Sequence, residues 1–295
     1  MKQLDNRYEF IMLFDVENGN PNGDPDAGNM PRVDAETGHG MVTDVCLKRK
    51  IRNYIDSVYE GQPSYNILIK TDKSLNRKFT EAYEACGLKV NPIDSEPKGN
   101  KKDSKKDDDL NQAQRYLLSN YYDVRTFGAV MNTGGNKAGI VRGPVQINFA
   151  KSLDPVLPQE ITITRQAITK ESDIEKKETE MGKKTFIPYG LYRAEGYVSA
   201  LLAHKTNFTE EDLEILWNAI VNMFEIDHSA ARGKLCMRKL IIFKHATVLG
   251  NAPSHVLFDK VLVEKKAEVE VPRRFSDYTV TIEEMPEGVE MIEML

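Results

Sequence analysis

An almost unbroken apolar run near the start of the chain predicts a buried strand. The segment Tyr8–Val16 is rich in aromatic and aliphatic residues, which is typical of a central strand covered on both faces. It ends in a dense cluster of turn-forming residues, Glu17–Asp26. A polar loop of about 25 residues follows, and loops of that length are usually functional or disordered. The pattern therefore places a candidate functional loop directly after a core strand.

Apolar residues at three- and four-residue spacing predict four helices. Thr43 is expected to cap the first helix, which runs to about Tyr59 and turns an apolar stripe to the core. A second helix is expected at roughly Ser74–Cys86, and a third carries Leu117. Thr209 is expected to cap a fourth, strongly amphipathic helix.

Alternating and continuous apolar segments predict the remaining strands. Ile161–Thr164 alternates as a strand should, and the charged stretch Lys170–Lys184 that follows indicates a hairpin or a projecting arm. Further strands are expected at Ile140–Phe149, Ile187–Ala203, Leu235–Leu249 and Val256–Glu284. Without its insertions the chain reads strand, helix, strand region, strand, helix, strand. This order is compatible with an α+β fold on a split βαβ, or ferredoxin-like, core.

Composition favours a globular protein of a reducing compartment. Charged residues make up 29% and hydrophobic residues 40% of the 295-residue chain, a balance that argues against a wholly disordered protein. No apolar run is long enough to span a membrane, and no secretory signal is evident. The three cysteines are far apart and form no zinc pattern. We therefore expect a cytoplasmic protein without a membrane partner.

The net charge of −5 argues against a protein that coats nucleic acid through bulk charge. The distribution of charge along the chain is more informative. Val124–Leu153 and His228–Phe258 contain basic residues but no acid, although each would hold roughly four to five acids by chance. One interpretation is two surfaces kept free of negative charge. The alternative is a pair of buried strands that exclude acids because burying a charge is costly.

The first helix carries the strongest local signal for binding. At about 100° per residue, Lys48, Arg49 and Arg52 fall on one arc beside the apolar stripe, whereas Lys50 points elsewhere. Three cations on such an arc suit phosphate contacts along a nucleic-acid strand. A solvated basic face is the alternative interpretation.

The loop after the first strand resembles the opening of a calcium site only superficially. Asn18, Asn20 and Asn22 have the spacing of such a loop, but the first position is not Asp and the twelfth is Asn29. A loop of asparagines and glycines that hydrogen-bonds phosphate or ribose is one hypothesis. A purely structural turn is the other.

Three further features are candidates for chemistry or binding. Aspartates in the polar loop could chelate magnesium for phosphodiester cleavage, or could simply solvate the loop; they are Asp24, Asp26, Asp34 and Asp44. His39 is the one histidine considered as a proton shuttle. The turn Gly134–Lys137 lacks the spacing of a nucleotide-hydrolysing loop, but its backbone N–H groups could bind a polymer phosphate or a small molecule.

Several long motifs resemble one known family. Phe14–Asp26, Met30–Arg32, Thr37–Arg52, Arg125–Val130 and Ser229–His245 are similar to the Cas-seven family of CRISPR backbone subunits, and most similar to its type I-C (Csd-two) branch. The resemblance covers essentially the whole chain.

The resemblance implies a right-hand shape in a single domain, 1–295. Its palm would be of the RNA-recognition-motif type and occupy about 7–60 and 187–250, with fingers and thumb within about 61–186 and further strands in 251–295. It implies a non-catalytic subunit that oligomerises along CRISPR guide RNA in a Cascade surveillance complex and presents the guide to target DNA. The implied partners are guide RNA, further copies of itself, Cas-five and Cas-eight type subunits and, through the guide, target DNA.

Site residues follow from the same resemblance. Lys48, Arg49 and Arg52 would follow guide phosphates, and the candidate thumb Ile161–Pro188 would use Arg165. The full set of expected RNA contacts is Asn18, Asn20, Asn22, Lys48, Arg49, Arg52, Arg125, Asn132, Gly134, Gly135, Lys137, Arg142, Arg165 and Arg232.

No catalytic residue, metal or cofactor is expected, since the type I branch is not expected to cut. The alternative function is a metal-dependent ribonuclease that uses Asp24 and Asp26. The aromatic motif of RNA-recognition domains is not visible, so base stacking on an open sheet face is not assumed.

Overall fold

The structure of the protein is a computed structural model that describes residues 2–95, 104–169, 171–173 and 179–295. The predicted low-complexity insertion 97–109 and the charged stretch 170–184 lie partly outside these residues. The helices are α1 (Asp44–Val58), α2 (Leu75–Ala85), α3 (Ser104–Asn120), α4 (Tyr122–Phe127), α5 (Ala200–Thr206), α6 (Glu210–Asn222) and α7 (Ser254–Asp259).

The strands divide between one large antiparallel sheet and three small pairs. In chain order they are β1 (Tyr8–Gly19), β2 (Gly23–Asp24), β3 (Met30–Pro31), β4 (His39–Val42), β5 (Gly128–Met131), β6 (Gly139–Arg142), β7 (Val145–Ile147), β8 (Ala150–Pro155), β9 (Gln159–Arg165), β10 (Glu180–Val198), β11 (Lys234–His245), β12 (Val261–Lys265), β13 (Tyr278–Ile282) and β14 (Val289–Glu293). The pairs outside the large sheet are β2–β3, β5–β6 and β12–β13.

The predicted central position of β1 is confirmed. The large sheet has the order β14-β11-β1-β10-β8-β4, with β7 and β9 also paired to β10. Tyr8 of β1 faces Val198 on one side and Lys244 on the other. Because β7 and β8 belong to the range 61–186, part of the predicted insertions is in fact part of this sheet.

Both faces of β1 are buried, each against a different layer. Phe10, Met12 and Phe14 point to α1 and α6 in the larger core, while Ile11 and Leu13 point to α7, β12 and β13 in a second core. Strand side chains alternate between faces, so an almost wholly apolar run is required when both faces are covered. The layer formed by α7, β12 and β13 is called the C-terminal layer below.

Helix caps follow the sequence. The side chains of Thr43 and Ser74 accept hydrogen bonds from backbone N–H groups in the first turns of α1 and α2. Thr209 and Asp212 form the reciprocal capping box of α6. The predicted caps Thr43 and Thr209 are confirmed, because capping depends on residues adjacent in sequence.

Several strand predictions are corrected at glycine, proline and polar positions. Ile140–Phe149 is two strands, β6 and β7, separated by Gly143 and Pro144. The strand region Ile187–Ala203 ends at Val198 and continues as α5. The long polar loop is not structureless, since β2, β3 and β4 lie within it. The tail predicted as strands begins with α7.

The predicted arm is an exposed hairpin. β9 pairs with the first part of β10, from Arg165 with Glu180 to Gln159 with Phe186. All seven residues of β9 are exposed, so the sheet core does not stabilise this hairpin. A third, separate apolar cluster joins α2, α3 and the β5–β6 pair. Within the described residues, no helix has the length and apolar character needed to cross a membrane.

Candidate nucleic-acid interface

The loop that follows β1 is tied to the start of α1. Oγ1 of Thr43 accepts a hydrogen bond from the N–H of Cys46 at 3.2 Å and so caps the helix. Oδ1 of Asn22 accepts hydrogen bonds from the N–H of Thr43 at 2.9 Å and from its hydroxyl at 3.0 Å. Asn22 thus positions the cap residue and, with it, the first turn of α1.

The end of β1 and the first residue of this loop lie in backbone contact with the segment before β11. The N–H of Asn20 donates to the carbonyl of Ala231 at 2.9 Å. A Cβ on Gly19 would lie 1.8 Å from the carbonyl oxygen of Arg232, so only glycine permits this approach. Asn18, just before it, is exposed and has a left-handed φ of 51°. The structure therefore brings Asn18 and Asn20 close to the backbone around Arg232, and all three residues are predicted RNA contacts.

A buried ion pair joins α1 to that segment. Lys50 forms an ion pair with Asp227, and both side chains are nearly buried. Nη1 of Arg232 lies 2.6 Å from a carboxylate oxygen of the same aspartate. Burial raises the pKa of the neighbouring Cys46 thiol, so this cysteine stays protonated at neutral pH. Lys50 and Arg232 share one carboxylate, and Arg232 is therefore partly neutralised.

Two of the three cations on the predicted arc of α1 have acidic partners. Lys48 pairs with Asp44 at 2.9 Å, one helical turn before it. Nε of Arg52 pairs with the buried carboxylate of Asp123 at 2.8 Å. The ammonium of Lys48 and the guanidinium of Arg52 lie 5.8 and 5.1 Å from the ring centroid of Phe127. The arc is therefore partly structural.

Three predicted cations make no ion pair with the described residues. Arg49 is exposed on α1. Arg142 is exposed at the end of β6, where it faces Gly128, the residue after Phe127. Lys137 is half-buried in the turn between β5 and β6. Cations without acidic partners are the ones free to contact phosphate.

The guanidinium of Arg125 makes its contacts inside the fold. Its Nε and Nη2 donate to the carboxylate of Asp212 at 2.8–3.1 Å, and its Nη1 contacts the carbonyl of Ser64. Its guanidinium also lies over the rings of Tyr65 and Tyr122. Because these contacts engage its donors within the core, an RNA contact by Arg125 stays a prediction that would require rearrangement.

The glycine-rich turn has a structural reason for its composition. Gly134 has a left-handed φ of 68°, and a Cβ on Gly135 would lie 2.7 Å from a backbone carbonyl. The buried Asn136 accepts a hydrogen bond from the N–H of Asn91 at 2.8 Å. Asn132, at the start of the turn, is exposed. The glycines are needed for close packing whether or not the turn binds phosphate.

Arg165 lies on the exposed hairpin and makes its contacts within it. It forms an ion pair with Glu180 on the paired strand, and its Nε donates to the carbonyl of Ala167 at 2.9 Å. The surface is open here, so the ion pair is screened by water and weak. Contact with RNA by this residue remains a prediction.

The second acid-free window is neutralised by acids from elsewhere in the chain. Its basic residues pair as Arg232–Asp227, Lys234–Glu17, Arg238–Asp15, Lys239–Glu293 and Lys244–Glu290. Most of these acids come from the neighbouring strands β1 and β14. The expected positive surface over residues 228–258 is therefore largely balanced.

The aspartates of the polar loop serve separate local contacts. Asp24 lies 3.4 Å from Arg32 and caps a short 3-10 turn, and Asp26 is exposed. The N–H of Glu36 lowers the pKa of Asp34. Nδ1 of His39 donates to the carbonyl of Ser152 at 2.7 Å. No group of three His, Cys, Asp or Glu side chains that could hold a metal ion occurs among the described residues.

Comparison with known proteins decides the family. The family model described as CRISPR-associated protein Cas7 matches residues 6–283. The chain belongs to the Cas7 family. A curated relative, the CRISPR-associated protein Cas7 of Haloferax volcanii, is 26% identical over 238 residues, which are 74% of this chain and 65% of the relative. The match thus spans slightly less than two thirds of that relative's length.

A solved structure shares the fold of this Cas7-family chain. One chain of a CRISPR RNA-guided surveillance complex, pre-nicking, matches with a TM-score of 0.51 at 15% identity, covering 80% of this chain and 78% of the other. The shared fold is a mixed α/β fold with a large antiparallel sheet.

Sequence reasoning missed two contacts that shape this Cas7-family site. Nζ of the buried Lys78 donates to the carbonyl of Leu68 at 2.8 Å and pairs with Asp72 at 2.6 Å. Lys78 thereby fixes the segment that also contacts Asp123. The available signal in the sequence was spacing. Lys78 lies three residues after Leu75 and four before Ala82, which is the spacing of a helix core face, where a lysine is rare.

Proposed function

We propose that this Cas7-family chain is a non-catalytic backbone subunit that binds guide RNA and self-associates along it. The carrying observation is the junction where the loop after β1, the start of α1 and the segment before β11 meet. Asn18 and Arg49 are exposed at this junction, and buried contacts hold the backbone beneath them. A rigid scaffold under exposed polar and cationic side chains suits a polymer backbone, which varies little with base sequence.

The proposal includes a hand-like organisation of palm, fingers and thumb. The strand order β11-β1-β10-β8, with α1 and α6 on one face, supports a ferredoxin-like or RNA-recognition-motif-type palm. The separate apolar cluster of α2 and α3 supports fingers, and the exposed β9–β10 hairpin supports a thumb.

The proposed partners follow from that organisation. The hairpin buries little surface within one chain, so contact with a second copy along the RNA would give it a function. In the proposed type I-C Cascade complex, the further partners are Cas-five and Cas-eight type subunits, with target DNA reached through the guide. The proposed location is the cytoplasm.

RNA affinity measured against salt concentration tests the proposal. We expect Arg49→Ala and Arg142→Ala to weaken binding of unrelated single-stranded RNAs equally, because phosphate contacts carry no sequence information. Each lost contact should reduce the slope of log affinity against log salt by about 0.7. The matched control is Arg273→Ala, since Arg273 is exposed beside the C-terminal layer and makes no ion pair with the described residues. Equal affinities for all four proteins would reject the assignment.

The alternative, a magnesium-dependent ribonuclease, is tested with the same RNAs. The non-catalytic proposal expects no shortening of RNA with added magnesium. Cleavage that disappears in both Asp24→Ala and Asp26→Ala would support the ribonuclease instead. The Asp24 carboxylate contacts Arg32 and the N–H of Asp26, while the side chain of Asp26 is exposed.

A further inference from the structure

The sheet face opposite α1 and α6 is only partly covered. The C-terminal layer packs on β1, β11 and part of β10 through residues such as Leu13, Leu191 and Phe243. A cleft of about 540 Å³ lies at the other side of this face, over β8 and the C-terminal half of β10. Phe149, Lys151, Arg193 and His39 are among its lining residues, and no residue of the C-terminal layer lines it.

A β-bulge aims an aromatic side chain into this cleft. Ile147 pairs with Gly196, and Lys151 pairs with Arg193. Three residues of the β7–β8 segment therefore face only two residues of β10, which is the geometry of a bulge. Phe149, within the bulge, is 52% exposed, although Ile147 and Ala150 on either side of it are buried. Bulges commonly re-aim a side chain at a functional site.

The cleft is lined by two basic side chains, Lys151 and Arg193, and by two acidic ones, Asp34 and Glu195. Lys151 is exposed and makes no ion pair with the described residues. Arg193 is fixed in place, because it donates to Glu195 at 3.1 Å and to the carbonyl of Phe258 at 2.7 Å. The carboxylate of Asp34 accepts a hydrogen bond from the N–H of Glu36 at 3.1 Å. Arg193 thus balances Glu195, whereas the ammonium of Lys151 makes no ion pair with the described residues and contributes, after the N–H of Glu36, to the lowered pKa of Asp34.

We propose that this cleft binds one unpaired nucleotide of a single-stranded nucleic acid, with its base stacked on Phe149 and its phosphate at Lys151. An exposed aromatic ring beside a free cation is the combination that binds single strands without regard to sequence, because every base has a π-face. An apolar peptide would match the ring but leave Lys151 unpaired. The inference rests on the proposed RNA-binding function and adds a second contact site on the opposite face of the sheet.

Three variants separate stacking from packing. Phe149→Leu keeps the apolar volume but removes the ring, and Phe149→Tyr keeps the ring. We expect Phe149→Leu to weaken binding of single-stranded RNA about fivefold or more, with an unchanged salt slope, because stacking is not electrostatic. Phe149→Tyr should bind like the parent protein. Lys151→Ala should reduce the salt slope by about 0.7. The control is Leu249→Ala, which truncates an apolar side chain that is 73% exposed outside the cleft.

Photocrosslinking identifies the strand. Oligonucleotides carrying 5-iodouridine in RNA or 5-iododeoxyuridine in DNA should crosslink to the peptide that contains Phe149, and the oligonucleotide that reacts shows whether RNA, DNA or both occupy the cleft. Crosslinks confined to other peptides, together with parental affinity of Phe149→Leu, would overturn the inference even if Arg49→Ala still weakens binding. If the unmodified protein binds neither RNA nor DNA, the proposed function fails and this inference fails with it.

Discussion

The carboxylate of Asp123 accepts a hydrogen bond from Nε of Arg52 at 2.8 Å, and so joins α4 to α1. The same carboxylate accepts hydrogen bonds from the N–H groups of Leu68 at 2.8 Å and Ile69 at 3.1 Å. Asp123 is 1% exposed, so its charge is stabilised by these three donors rather than by water. Arg52 is therefore part of the fold as well as a candidate phosphate contact.

Two neighbouring arginines of α1 should consequently respond differently to truncation. Arg52→Ala removes the cationic partner of a buried carboxylate but leaves its two N–H partners, so we expect a loss of about 1–3 kcal/mol in the free energy of unfolding. Arg49→Ala should change that free energy by no more than about 0.5 kcal/mol, because Arg49 is exposed. Urea denaturation followed by circular dichroism measures both. Equal stability of the two variants would contradict the structural role of Arg52.

Truncation of Arg125, which pairs with Asp212, should reduce the free energy of unfolding more than truncation of Arg52. Both side chains are nearly buried, and Asp212 also completes the capping box of α6. Arg125→Ala leaves a buried carboxylate without its cation, which costs about 3–5 kcal/mol of stability. The expected result is a marked fall in the urea midpoint.

A double-mutant cycle with Asp212→Asn provides the control for Arg125. Since the amide that replaces the carboxylate carries no charge, Arg125→Ala should cost much less in that background. Additive losses would show that the two side chains do not interact.

The contrast between Arg49 and Arg125 shows why sequence predicted the fold better than the site. Caps and the doubly buried β1 follow from residues close in sequence, and the structure confirms them. Whether an acid-free window forms a positive surface does not follow from residues close in sequence. Lys239 and Lys244 occur in such a window but lie beside Glu293 and Glu290 because β11 pairs with β14. Charge balance is set by strand pairing, which a linear pattern does not contain.

Phe149 is the opposite case, a side chain that is exposed in the structure although the sequence pattern did not single it out. In the sequence it is the last residue of an expected strand, so it is indistinguishable from a core aromatic. Its exposure results from one extra residue between β7 and β8, which pair with neighbouring segments of β10. A bulge of this kind depends on register, and register is determined by packing across the whole sheet.

The close contact at Gly19 predicts that the candidate interface tolerates no side chain there. A Cβ would lie 1.8 Å from the carbonyl oxygen of Arg232, which is backbone and cannot rotate away. We expect Gly19→Ala to cost about 1–3 kcal/mol of stability, as other forced overpacking does, and to weaken RNA binding because the loop is displaced. The control for stability is Gly182→Ala, where the new methyl group would meet only Ile163 at 3.6 Å. If Gly19→Ala retains parental stability and affinity, the tight contact is not needed.

Two tyrosines predict how stability depends on pH in alkaline solution. Burial raises the pKa of Tyr8 to about 12 and that of Tyr121 to about 12, from an ordinary value of 10.0. The unfolded chain therefore releases these phenolic protons at lower pH than the folded chain does. Their contribution to the free energy of unfolding is fully present below pH 10 and is lost as the pH rises toward about 12.

We expect the urea midpoint to fall across that window and the fall to become shallower in the Tyr8→Phe and Tyr121→Phe variants, which have no phenolic proton to release. Ultraviolet absorbance of phenolate, recorded in native protein and in urea, measures the ionisation directly. Identical absorbance titrations in the two solvents would show that burial does not control these tyrosines. A shallower pH dependence in only one variant would assign the effect to that residue and to the element it anchors, β1 for Tyr8 and the junction of α3 and α4 for Tyr121.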